Sequence, residues 1–482
     1  MRAASATIML LGVSALASCR TAATGPGAAS ASALLVRGTV VEPDGTTIPD
    51  AAVLVEGNRI ARVGRASEVT APPGARVVGG AGAWIVPGLF DAHVHFFQSG
   101  GITTRPDIVD LTSRLPYAQE RARIAAGLDR TLARYLRSGV TSVVDMGGPL
   151  WNFEVREHAN RTAIAPRVAV AGPLLSSVAR PQLVVDGDAP IVQVETPERA
   201  RAMVREQAGR RPDLVKLWWV VPPGGTAASW LPVGKAAIDE AHALGFRVAV
   251  HATELETARA AVQAGADVLV HSVDDAPLDD GLLALLRERR IPYITTLVVL
   301  EGYAEALGRH VSLEPAEREI ADPVAVASVL DPPPLPERAA AAARRMQDRL
   351  PVALANARRA EEAGVLVVAG TDAGNIGTFH GPALLREIEL LVQAGLTPAQ
   401  ALRAATLDAA RAFGKERELG SVEAGKLADL VVLDASPLAD VRNLARIRAV
   451  VKDGVARSPE EILPPVAAEE ALRRANAARL GE

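Results

Sequence analysis

Apolar positions fall into distinct rhythms along the chain. From Leu34 to Pro87, short alternating runs ("ALLVRGTVVEPDG", "AAVLVEGNRIARVG", "ARVVGGAGAWIVPG") are punctuated by Gly, Pro, Asn and Asp, and helical spacing is absent. That pattern predicts a small β module over 34–87. Beyond it, short apolar runs alternate with Ala-, Arg- and Glu-rich segments of helical spacing, such as "TPERARAMVREQAG" and "ELETARAAVQAG". Eight strands are expected: "WIVPGLFDAHVH", "TSVVDMG", "RVAVAGPL", "LVKLWW", "RVAVHA", "VLVHS", "IPYITTL" and "VLVVAGTD". Short, continuously apolar strands suit a parallel sheet buried on both faces. Eight strand–helix units in series favour a closed (β/α)8 TIM barrel, an α/β fold, over 88–415. Strand patterning returns in "GSVEAGKLADLVVLDASPL" and "RIRAVVKDGVAR", so residues 416–457 are expected to rejoin the first module as one β-sandwich built from both chain ends. A helical tail, 458–482, follows. Two irregular insertions, 96–116 and about 298–336, are candidate lids or substrate walls.

Composition narrows the function classes. The 482 residues are 49% hydrophobic and 22% charged, with a formal net charge of −4. This is a well-cored globular chain without the basic footprint of a nucleic-acid binder. Aromatic content of 3% argues against stacking platforms for single strands. After the N-terminus, no apolar run is long enough to span a bilayer. The N-terminus itself reads as an export signal: Arg2, then "AASATIMLLGVSALAS", then Cys19. "LASC" resembles a bacterial lipoprotein signal, with residues 1–18 removed and Cys19 lipidated. Cleavage after Ala17 is the competing reading. Residues 19–33 would form a small-residue tether. The expectation is an exported periplasmic or cell-surface lipoprotein that meets the membrane only through its lipid anchor. Cys19 is the sole cysteine, so the folded part has neither disulfide nor thiolate ligand.

The chemistry-bearing residues gather at strand ends. His93 and His95 are two apart on strand one and share a face. Lys216 lies in strand four of a chain with five lysines, inside the apolar run "DLVKLWW". His251, His271 and Asp372 close strands five, six and eight. Barrel strands converge with their C-terminal ends on one face, so all six side chains are expected in one pocket. Taken singly, each has a bland reading: a satisfied structural histidine, a helix cap at Asp372, a paired lysine. Together they form a set that coincidence does not readily supply. Imidazole and carboxylate without thiolate suit zinc, manganese, iron or nickel in an open catalytic site. There a bound water is acidified and a carbonyl polarised, with Asp372 the natural proton shuttle.

"PGLFDAHVH", "VKL", "VHA", "VHS" and "GTDAG", with "HGPALLREIELLVQAGLTPAQALRAATLDAARAFG" and "LGSVEAGKLADLVVLD", resemble the amidohydrolase superfamily, especially its prolidase-like and imidazolonepropionase-like members. The resemblance spans Leu34 to about Gly454. It implies a hydrolase with two divalent metal ions, zinc the expected choice. His93, His95 and Asp372 would hold one ion, His251 and His271 the other, with Lys216, carboxylated by carbon dioxide, bridging them. Asp372 would act as base and then acid. His380 in "FHGPAL" matches a histidine near the substrate, and Asp91 would support the ligands. The implied reaction is hydrolysis of an amide, dipeptide, N-acyl amino acid or cyclic amide through a metal-bound hydroxide, with no nucleic acid as partner. A homo-oligomer is compatible with the sequence.

Two other classes remain open at this stage. Deaminases of the superfamily use one metal and lack the strand-four lysine; lactone or ester hydrolysis is a close chemical variant. A binding scaffold without catalysis would not need all six residues. Trp218 and Trp219 are candidates for an apolar substrate wall, with core packing the expected role of at least one.

Overall fold

A computed structural model describes residues 33–222 and 224–464. The expected leader, Cys19 and most of the C-terminal tail lie outside the described residues.

The first four strands are β1 (Leu34–Val41), β2 (Thr47–Glu56), β3 (Arg59–Arg65) and β4 (Arg76–Pro87). They join β15 (Leu430–Leu433), β16 (Ile447–Lys452) and β17 (Val455–Arg457) in a seven-stranded sheet, ordered β17-β16-β15-β4-β1-β2-β3. Inward residues from both ends of this sheet, among them Val36, Val53, Ile85, Val432 and Val451, share one apolar core. The sheet therefore closes over itself in sandwich fashion, and both chain ends contribute to it. Its central strand β4 pairs in parallel with β1 on one side and antiparallel with β15 on the other.

The barrel strands are β5 (Leu89–Val94), β6 (Val140–Asp145), β7 (Arg167–Val170), β10 (Val215–Trp218), β11 (Val248–His251), β12 (Val268–Val270), β13 (Tyr293–Ile294) and β14 (Val367–Val368). Neighbours run parallel throughout. A bridge from Ala171 to Leu214 joins β7 to β10, and one from Val94 to Ala373 closes the circle onto β5. The result is the (β/α)8 barrel. Two short strands, β8 (Leu174–Ser176) and β9 (Ile191–Gln193), extend the sheet beside β10. Phe90, Val144, Leu214, Ala249, Val270, Ile294 and Val368 fill the barrel interior. The alternate positions pack against the outer helices in the largest core.

Two expectations are corrected. "WIVPGLFDAHVH" is not one strand: β4 ends at Pro87 in the sandwich and β5 starts at Leu89 in the barrel. Gly88 makes the handover, where a Cβ would collide with the Thr141 side chain. The second insertion is not irregular either. It carries helices Leu297–Gly308, Pro315–Ile320 and Pro323–Leu330, each of the last two with proline in its first turn. Ile102, Val109 and Leu111 of the first insertion pack with Val299, Tyr303 and Leu307 of the second. The two insertions thus form one cored unit beside the barrel mouth.

Candidate metal centre

Strand parity explains how Lys216 reaches the site. On β10, Leu217 and the following Trp219 are fully buried against the outer helices, with Trp219 edge-on to Trp230 at 5.1 Å. Lys216 and Trp218 take the opposite side, and both line a cavity of about 640 Å³ at the C-terminal ends of the strands. His95, His251, His271 and Asp372 line the same cavity. Trp218 is therefore a cavity wall and Trp219 a core residue.

The tightest geometry is a triangle. His93 Nε2 and His95 Nε2 are 3.2 Å apart, and Asp372 Oδ1 stands 3.3 Å from the first and 3.2 Å from the second. Ligands at about 2.0–2.1 Å from a tetrahedral ion stand roughly 3.3–3.4 Å apart, so the triangle has the edge length of one face of such a site. His95 Nδ1–H donates to the Gly147 carbonyl at 2.7 Å, which leaves its Nε2 lone pair facing the triangle. His271 is within reach: its ligating atom and those of His93 and Asp372 lie within 4.8 Å of one another. The His251 and His271 rings are 4.4 Å apart, and His271 Nδ1 is 2.8 Å from Thr296 Oγ1. His271, Thr296 and Asp372 all have positive φ, at 75°, 49° and 59°. Such backbone strain at three strand ends around one cluster is typical of functional sites.

Among the buried polar atoms of the described residues that lack a hydrogen-bond partner, four belong to this cluster: Lys216 Nζ, Asp372 Oδ1, His93 Nδ1 and His251 Nδ1. Leaving such groups unmatched is costly, so their gathering at one cavity marks a site built to hold something more. Burial drives the Lys216 ammonium down to about 7, partly opposed by the Asp372 carboxylate. Burial, reinforced by the Lys216 charge, also pushes His93, His251 and His271 well below the usual histidine range. Those three imidazoles are thus held neutral beside a readily deprotonated amine, the protonation states that bind metal.

The other expected residues lie elsewhere. His380 is corrected: its Nε2–H donates to the Gln98 carbonyl at 2.9 Å, and its Nδ1 accepts from the Tyr135 hydroxyl at 2.7 Å. Stacked on Phe96 and absent from the cavity wall, it positions the loop after β5 and has no free nitrogen for substrate. Burial holds it neutral, near 4. The Asp91 carboxylate accepts from the His93 and Thr371 backbone N–H groups and the Thr371 hydroxyl, tying β5 to the segment after β14. Asp145 was missed. At the end of β6 it accepts from the Phe96 and Gly147 N–H groups and from Asn152, so it fixes the carbonyl that orients His95. "VVDMG" carried the signal, a carboxylate closing an apolar strand. Arg105, Asp107 and Arg180, also on the cavity wall, were missed because loop charges have no periodic signature.

The amidohydrolase family model matches residues 84–457. The chain belongs to the amidohydrolase family. This family member is 31% identical over 341 residues to an uncharacterised protein of Mycobacterium tuberculosis, covering 69% of this chain and 75% of the other. It is 25% identical over 455 residues to ochratoxinase of Aspergillus niger, covering 86% and 84%. Its fold matches a solved structure from Bifidobacterium longum, provisionally identified as a prolidase, with TM-score 0.67, 26% identity and coverage of 92% and 99%. The family is one of hydrolases, and the His/Asp cluster is this amidohydrolase's candidate metal site.

Proposed function

We propose that the chain is a two-metal hydrolase of amide bonds: dipeptides, N-acyl amino acids or cyclic amides. The observation that carries the reading is the triangle of His93, His95 and Asp372 beside an unpartnered, fully buried Lys216. His93, His95 and Asp372 would hold one divalent ion and His251 and His271 the other, with zinc suited to these donors. Lys216 supports two ions over one. Its neutral amine would add to carbon dioxide, releasing a proton and leaving a carboxylate that would serve as a further ligand. Arginine, locked in its charged form, has no such chemistry.

When bound, the ions supply a Lewis acid for the carbonyl and acidify the attacking water. The chain's own residues do the rest. The Asp372 carboxylate, through the oxygen outside the triangle, would take the proton of that water as the carbon–oxygen bond forms. It returns the proton to the departing nitrogen as the carbon–nitrogen bond breaks. His95, fixed by Gly147, and His271, held by Thr296, keep the ligand atoms aimed. Trp218 and the two insertions wall off bulk water.

Elemental analysis of the purified chain, with a hydrolysis screen of dipeptides and N-acyl amino acids, tests the reading. About two metals per chain and amine release are expected. One metal with ammonia release from a nucleobase-like substrate would replace it with deamination. Turnover of lactones alone would replace it with ester hydrolysis.

A further inference from the structure

The charges on the cavity wall do not balance. Outside the candidate ligands, Arg105, Arg180, Arg345 and Arg349 face the cavity against two acids, Asp107 and Asp274. Asp274 is taken by Arg349 at 2.7 Å. Asp107, with its side chain 2% exposed, serves two guanidinium groups: Arg105 through Nε and Nη2, both at 2.8 Å, and Arg180 through Nε at 3.4 Å. One buried carboxylate answering two buried or half-buried cations leaves a positive charge uncompensated in a place where such charge is costly.

The position of this surplus is informative. Arg105 Nη1 donates to Asn375 Oδ1 at 2.7 Å, which also accepts from the Tyr303 hydroxyl, and Asn375 Nδ2 donates to the Asp372 carbonyl. Arg105 is thus tied to the turn that carries Asp372. Arg180 lies 4.8 Å above the Trp218 ring, whose far neighbour is His251 at 5.7 Å. Arg105 is linked to the turn of Asp372 and Arg180 to Trp218 beside His251, and both reach Asp107 on the wall of the cavity that holds the cluster. Leu174 and Ile191 line the same wall and pack with Trp218 around an apolar cluster.

We infer that Arg105 and Arg180 are specificity residues that read a carboxylate beside the scissile bond, and that the amine half of the substrate is an apolar α-amino acid. This rests on the amide-hydrolase reading above. An α-carboxylate stands two covalent bonds, about 2.5 Å, from the amide nitrogen, so it must bind next to the cluster. Guanidinium groups suit it. Arg180 gives Nε to Asp107 and Nη1 to the Ala179 carbonyl, which leaves Nη2 to donate. Arg105, its Nε and Nη2 on Asp107 and its Nη1 on Asn375, adds charge and the remaining N–H bonds of its two Nη groups. Asp107 holds the forks in place without cancelling both, and Trp218, Leu174 and Ile191 receive the side chain.

The test compares N-acetyl-L-leucine with N-acetyl-L-leucinamide on the metal-loaded full chain, following release of leucine or leucinamide. The wild type should favour the acid in kcat/KM by about 10–100-fold. Arg180→Gln and Arg105→Gln should each reduce that ratio at least tenfold, and Arg180→Lys should recover part of it. Arg180 is 31% exposed, so its variants remain informative should the buried Arg105 change impair folding. A wild-type ratio near one, or a ratio unchanged in both Gln variants, overturns the assignment. Calorimetric binding of the same two compounds separates the readings. Tighter binding of the acid, lost in Arg180→Gln, without turnover of either compound keeps the clamp and rejects the hydrolase. Equal binding of both rejects the clamp.

Discussion

Replacing Lys216 by methionine should abolish activity while making the metal-stripped protein more stable at neutral pH. The side chain is 1% exposed and its Nζ has no hydrogen-bond partner. Burial lowers its ammonium from 10.5 to about 7. The folded state then binds fewer protons than the unfolded state between those values, so stability rises with pH across that window. At pH 7 the buried lysine costs about 4 kcal/mol relative to a residue that does not titrate. Near pH 9.5 the cost shrinks to about 1 kcal/mol. Methionine matches the lysine stem in length and fills the space without charge. Unfolding entropy of ~1 kcal/mol per kelvin for a chain of this size converts the neutral-pH gain into about 4 °C in Tm. Calorimetric scans of chelator-treated wild type and Lys216→Met at pH 7 and 9.5 check both the sign and its pH dependence. A variant less stable at pH 7, or a difference independent of pH, would refute the account of an amine kept near neutrality by burial. Metal-loaded wild type should reverse the order, because only it gains binding energy.

Three further outcomes follow from the site. Asp372→Asn should lower kcat by about 10²–10⁴-fold, measured on the metal-loaded chain, since an amide cannot shuttle the proton. Asp145→Ala should weaken metal affinity about 10–100-fold, measured by chelator competition, because the Gly147 carbonyl that orients His95 loses its support. Gly374 has φ of +106°, and a Cβ there would stand 2.5 Å from the His95 carbonyl oxygen. Gly374→Ala should therefore destabilise the chain by about 1–3 kcal/mol in denaturant titration and depress activity further than that loss explains.

Much of the barrel could be read from the chain because its strands are buried on both faces and so run continuously apolar. The ligand candidates could be read because each interrupts or ends such a strand, where a polar residue breaks the pattern. What escaped was whatever depends on a third dimension. Pro87–Gly88 in "WIVPGLFDAHVH" marks the boundary at 87/88, but the continuous apolar run hid that the strands on its two sides belong to different sheets. His380 was expected near the substrate because "FHGPAL" resembles a stretch of the family. Its two nitrogens, however, are spent on Gln98 and Tyr135, partners 282 and 245 residues away. Arg105 and Arg180 lie in loops; Arg105 neighbours Asp107 in the sequence, but only the fold brings Arg180 to the same carboxylate. The helix Leu297–Gly308 was legible in principle. Its apolar residues are buried almost all round, which blurred the amphipathic signal.

The pairing of β4 with both β1 and β15 also bears on the order of assembly. A ribosome delivers β1 to β4 first, then the whole barrel, and β15 only afterwards. At ~5–20 residues per second, the intervening synthesis takes tens of seconds. Throughout that interval the edge from Trp84 to Pro87 has no partner strand, although Ile85 and Val86 belong to the finished interior. A chain that stops short keeps that edge bare, open to chaperones, proteases and pairing with other strands. The split module therefore works as a completion check: the first strands made are sealed only by nearly the last.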